Sequence, residues 1–167
     1  MRRLLLCVVI AMVLTMMTGC SNEKTKYEAF EASYSAAMGE LTQFTDYMEQ
    51  GAGGIKSPEQ LDNIVGRCDV AGKAIKENAL LLLEKANALK NEEVRNSAVD
   101  VASQLTNASK SIEKLQYACI VLKGLAGAPS ADYNNVAAKC NVFGGEIMQA
   151  KTDIENTHAA LKGTISR

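Results

Sequence analysis

The sequence predicts an all-α protein, an elongated antiparallel bundle of four helices connected up-down-up-down. Three observations carry this. The chain has no tryptophan and only two prolines in 167 residues, and Ala, Leu, Lys, Glu and Asn dominate it, a composition suited to helices. Its breaks are few and sharp: Gly51–Gly54 followed by Ser57-Pro58, then Asn91, then Gly124–Pro129. Between the breaks, apolar residues recur at alternating spacings of three and four, the seam of a left-handed, near-antiparallel bundle with short connections.

The first helix is expected over 23–50, with Tyr27, Phe30, Tyr34, Ala37, Leu41, Phe44 and Met48 on its seam. The second, over 58–90, has Ser57 as N-cap, Pro58 at its first helical position and Gln60 to complete the cap. Its seam runs Leu61, Ile64, Cys68, Ala71, Ile75 and then steps to Ala79, Leu82, Ala86 and Leu89. Asn91 caps a third helix over 92–123, where Glu92 and Glu93 suit the positive end of the helix dipole. Val94, Ala98, Val101, Leu105, Ala108, Ile112, Leu115, Cys119 and Leu122 form its seam. If the helix instead ran on through Asn91, three long elements would result. Ser130 caps the fourth helix, over 131–164, with Tyr133, Val136, Cys140, Phe143, Ile147, Ala150, Ile154 and Leu161 inward. The aromatic and methionine positions are expected in the core rather than around a cofactor.

Ahead of these helices stands a segment of another kind. Met1-Arg2-Arg3 is basic, Leu4 to Met17 carries no charge, and Met17-Thr18-Gly19-Cys20-Ser21 closes it with small residues. The uncharged run is about 21 Å long as a helix, short of the roughly 30 Å hydrocarbon core, so it reads as a secretory signal and not a membrane span. Met17-Thr18-Gly19-Cys20 resembles the lipobox of bacterial lipoprotein precursors, although Leu is usual where Met17 stands. The resemblance covers residues 1–21. It implies lipid transfer to the Cys20 thiol, cleavage before Cys20 and acylation of the new amine, palmitate included. Ser21, with no Asp after the cysteine, is similar to the pattern that sends such proteins to the outer membrane, facing the periplasm. The expected organisation is a removed signal over 1–19, a lipidated N-terminus and short tether over 20–26, and a bundle over 27–167.

With Arg2 and Arg3 gone, 19 acidic residues outnumber the remaining basic ones, and the two signs are interspersed. No basic face offers itself to nucleic acid and no polybasic tract to anionic lipid. The expected partners are the membrane, through the lipid, and an envelope protein or a second copy of the chain.

Cys68, Cys119 and Cys140 all fall on seams, where free cysteine is commonly a small buried hydrophobe. An oxidising compartment favours pairing instead. Counted from the distal loops, Cys68 and Cys140 lie about 15 and 13.5 Å down their helices, and Cys119 about one turn higher. Gly66, Gly72, Gly144 and Gly145 surround the matched pair and suggest close backbone approach there. Cys68–Cys140 is therefore the favoured bridge, with Cys119 the alternative partner should the second and fourth helices stand diagonally. A thiolate site for a soft ion such as Cu(I) or Zn(II) ranks below the disulfide, since no C-x-x-C spacing supports it, and no metal or other cofactor is expected.

Glu155-Asn156-Thr157-His158 has the E-x-x-H spacing of di-iron bundles, but such a site needs the motif twice and this chain has one histidine. Haem would need His158 paired with a methionine low on the first helix, and Met38 and Met48 stand higher. A Ser or Cys nucleophile would need His158 nearby, yet it falls about 40 Å along the bundle from the cysteines. No enzymatic activity is expected. Two stretches exceed the seam: Leu80, Leu81 and Leu83, and at the distal end Ile120, Val121 and Leu125. A helix apolar all round is buried on several sides or contacts a partner. The functional expectation is a membrane-tethered, non-enzymatic interaction or structural module, with a ligand or metal carrier using the distal end as the alternative.

Overall fold

Every break in the sequence separates two helices. The computed structural model describes the backbone of residues 2–50, 58–125 and 130–165, and the side chains of 22–50, 59–125 and 131–165. Helix α1 spans Arg2–Gln50, α2 Pro58–Asn87, α3 Glu92–Gly124 and α4 Ser130–Ile165, and no strand occurs among the described residues. The Ser57 cap and the Gly51–Gly54 and Ala126–Pro129 segments lie outside the described residues, as do the side chains of the Met17–Cys20 motif.

The α2–α3 turn shows how local chemistry sets a boundary. Asn91 is extended (φ −65°, ψ 120°), and its Oδ1 accepts from the Val94 N–H at 3.1 Å, satisfying a donor the helix start leaves open. Before it, the Ala88 and Leu89 N–H groups close back on Glu84, Lys85 and Ala86 carbonyls, so α2 ends and no continuous helix passes Asn91. Leu89 is buried and closes the base of the core.

The seams bury as their spacing requires. Phe30, Leu41, Ile75, Leu82, Leu105, Ile112, Leu115, Leu122, Ile147, Ile154 and Leu161 are all essentially inaccessible and belong to one continuous core. Going round the bundle, α1 packs on α2, α2 on α3 and α3 on α4, while α4 meets α1 only sparsely. Helices α2 and α4 therefore stand across the diagonal of a four-helix bundle. On α4 the distal seam residues Tyr133, Val136 and Phe143 are only partly buried.

Two expectations change. The first helix does not begin at residue 23 but reaches back to Arg2, since no proline interrupts it, and Glu23 and Lys26 dock on the bundle. Lys26 Nζ donates to the Ala88 carbonyl at 2.7 Å, and Glu23 Oε1 accepts from the Lys90 N–H at 2.6 Å, fastening α1 to the α2–α3 turn. Gly66, Gly144 and Gly145, in turn, do not mediate close helix approach. A Cβ at Gly66, Gly144 or Gly145 would meet nothing within 4 Å, and only Gly72 has a neighbour, Ile112 Cγ2 at 3.4 Å. Gly66 thus weakens α2 without a packing return. Gly66→Ala is expected to stabilise the protein by about 0.5–1 kcal/mol, read as a higher urea midpoint at unchanged m-value.

Candidate functional site

At the end of the bundle farthest from Cys20, the sparse α4–α1 seam widens into a cavity of about 500 Å³. Its lining comes from all four helices: Tyr47 to Gln50 of α1, Gln60 and Ile64 of α2, Leu115 and Cys119 of α3, and Cys140, Asn141, Gly144, Gly145 and Met148 of α4. Leu115, Cys119 and Cys140 are buried and form the floor, whereas Glu49, Gln50, Gln60, Asn141 and Gly145 are exposed and form the rim. Gly144 and Gly145 line it too, so the side-chain volume that α4 lacks here is part of what keeps the cleft open. On the α1 wall, the Arg67 guanidinium sits 5.2 Å from the centre of the Tyr47 ring, a cation–π contact bracing α1 against α2.

Two of the three expected cysteines, Cys119 and Cys140, line the cleft, while Cys68 is buried outside its lining. All are buried free thiols, and the favoured Cys68–Cys140 bridge is not formed. The nearest sulfurs are Cys119 and Cys140, 3.9 Å apart. The reason lies in the helix order: Cys68 and Cys140 stand on diagonal helices, while α3 and α4 are neighbours. Counting turns from the loops placed Cys119 too high, because depth along one helix does not fix the register between two. A disulfide needs sulfurs about 2.05 Å apart, so 3.9 Å is a contact and not a bond.

Burial pushes the Cys68 thiol up to about 12, with the neighbouring Cys140 adding to it. The other two act as a pair. The hydrogen bond to Cys140 raises the Cys119 thiol, burial adds to this, and the same hydrogen bond holds Cys140 below the ordinary thiol value. The contact joins two thiols, and either sulfur can be its donor.

The opposite, proximal end carries the one buried histidine. His158 Nε2 lies 2.6 Å from Glu31 Oε1, and that oxygen also accepts from the Tyr27 hydroxyl at 2.5 Å. Lys162 Nζ stands 3.3 Å from Glu31 Oε2, and the Tyr34 ring stacks on the imidazole with centroids 3.5 Å apart. Because the carboxylate only accepts, Nε2–H is the donor. Burial raises the Glu31 pKa, but bonds from Tyr27, His158 and Lys162 outweigh it and hold the carboxyl below its usual value. Burial, then the Glu155 and Glu31 charges, pushes Tyr34 up to about 12. This cluster clasps α1 to α4 where little else joins them. The E-x-x-H spacing was visible in the sequence, but the acid that engages His158 is Glu31 of α1, not Glu155.

The two apolar stretches divide. Leu83 packs on the core, and Val121 and Leu125 are half-buried, whereas Leu80, Leu81 and Ile120 are 59%, 48% and 50% exposed. Sequence reasoning missed the groove on the outer face of α3 and α4, where Tyr117 and Phe143 are flanked by Lys110, Lys114 and Lys139. No family model, curated protein or solved structure matches this chain.

Proposed function

We propose that the protein is an envelope lipoprotein, held to a membrane by lipid on Cys20, whose bundle is a non-enzymatic binding module that takes its occupant in the distal cleft. The carrying observation is the cavity of about 500 Å³, of a size that holds small molecules, at the end of the bundle about 40 Å along α1 from Cys20. Its floor is apolar and sulfur-lined and its rim polar, the division expected of a site that receives an apolar or soft group and orients it at the mouth. His158 lies at the other end, in contact with Glu31, Tyr34 and Tyr27-bound carboxylate oxygen. A second reading, contact with a protein partner, is favoured by the exposure of Leu80, Leu81 and Ile120.

An apolar dye whose fluorescence rises out of water tests the first reading. The exported Cys20→Ser chain is expected to bind the dye, and Gly144→Leu to block it by filling the cleft from α4. Replacing a helical glycine should preserve folding, since a Cβ there meets no neighbour. Dye binding that is indifferent to Gly144→Leu, with Leu80→Ser and Leu81→Ser abolishing it, would move the function to the α2 surface.

A further inference from the structure

Four sulfur side chains share the distal cleft: Cys119 and Cys140 on its floor, Met48 from α1 and Met148 from α4. No histidine lines it, and its one carboxylate, Glu49, is on the exposed rim. Thiolate and thioether donors select soft ions, Cu(I) above all, whereas Zn(II) sites draw on thiolate, imidazole and carboxylate. The geometry points to a site for a single Cu(I) ion between Cys119 and Cys140, completed by the thioethers of Met48 and Met148. This assignment rests on the distal cleft being the binding site, and names its occupant.

The spacing suits a metal better than a covalent bond. Two sulfurs each about 2.3 Å from one ion at a tetrahedral angle lie about 3.8 Å apart, and Cys119 and Cys140 are 3.9 Å apart before any ion is present. Both thiols are almost inaccessible, at 0% and 5%, so a bound ion would be shielded from water. Their sulfurs already face each other in a hydrogen bond, and an ion seated between them would replace that contact as both thiols lose their protons. Each thiol that ligates releases its proton to solvent, so uptake should become weaker as pH falls. Methionine, with three rotatable bonds, can swing within a cavity of about 500 Å³ to complete the coordination. Among the described residues no group of three or more His, Cys, Asp or Glu is placed to hold a metal, so the two thiols would need the thioethers to complete a site.

The test uses the full chain purified in detergent, reduced and kept free of oxygen, titrated with Cu(I) against a coloured Cu(I) chelator. One ion per chain is expected. Cys119→Ser and Cys140→Ser should each weaken binding by more than the ~10–100-fold that loss of an outer-shell partner costs. Met48→Leu combined with Met148→Leu should weaken it as well, and Cys68→Ser should leave it unchanged. Circular dichroism confirms that each variant is folded. The assignment is overturned if the Cys119→Ser, Cys140→Ser double variant binds Cu(I) as tightly as the parent, or if Cys68→Ser loses as much as either. Dye binding separates the two levels of inference. A chain that takes the dye in a Gly144-sensitive manner but no Cu(I) loses the metal assignment alone, and one that takes neither loses the cleft as a site.

Discussion

Replacing Cys20 by Ser is expected to shift the protein from the membrane to the soluble fraction and to abolish palmitate labelling. The expected effect is all-or-none because of chain arithmetic. Each buried methylene contributes about 0.8 kcal/mol, one acyl chain binds only marginally, and two or more hold stably. No helix among the described residues is long and apolar enough to cross a membrane, so no such helix in the bundle would retain the variant. The contacts of Glu23 and Lys26 with the α2–α3 turn add a geometric consequence. Cys20 precedes Glu23 by less than one helical turn, about 4.5 Å of rise, so a lipid there would hold the proximal end of the bundle against the bilayer. Palmitate labelling that persists in Cys20→Ser would end the lipoprotein reading and leave the fold and the cleft untouched.

Glu31→Ala is expected to cost about 1–3 kcal/mol, because it leaves His158 and Tyr27 without their acceptor in a largely buried setting. The lower half of that range is favoured by the 23% exposure of the Glu31 side chain, which lets water compensate in part. The loss should fall on the α1–α4 seam, so hydrogen exchange should speed up most in the proximal half of α1 and the last turns of α4. The clasp also fixes a pH dependence. The Glu31 pKa is lowered in the folded protein, so the carboxylate's contribution is complete above its unfolded value and is lost as pH falls through the folded one. Urea unfolding from pH 7 down to pH 3 should therefore show the native protein losing part of its stability in the acid range. Glu31→Ala, weaker throughout, should lack that portion of the decline. Parallel curves for the two proteins would remove Glu31 from the account.

The helices and their inward faces were legible because both are local. A cap such as Asn91 acts over three residues, and a seam is a periodicity that any stretch of ten residues displays. Leu105, Ile112 and Ile154 could be placed in the core with no knowledge of what faces them. The same locality misled at the glycines. Gly66, Gly144 and Gly145 looked like points of close approach, yet they face open space, and Gly144 and Gly145 face the cleft. An absent side chain reads identically in sequence whether a neighbour fills its place or nothing does.

By itself the sequence determined a four-helix bundle, the Asn91 cap and the inward positions of three cysteines. Only the tertiary structure decided which helices are neighbours, and from this the rest follows. With α2 and α4 on the diagonal, Cys140 meets Cys119 instead of Cys68, and the thin α4–α1 contact leaves room for a cleft at one end and a Glu31–His158 clasp at the other. Helix formation is driven by hydrogen bonds four residues apart, whereas helix order and register are set by summed packing between segments tens of residues distant. No window along the chain contains both sides of those contacts.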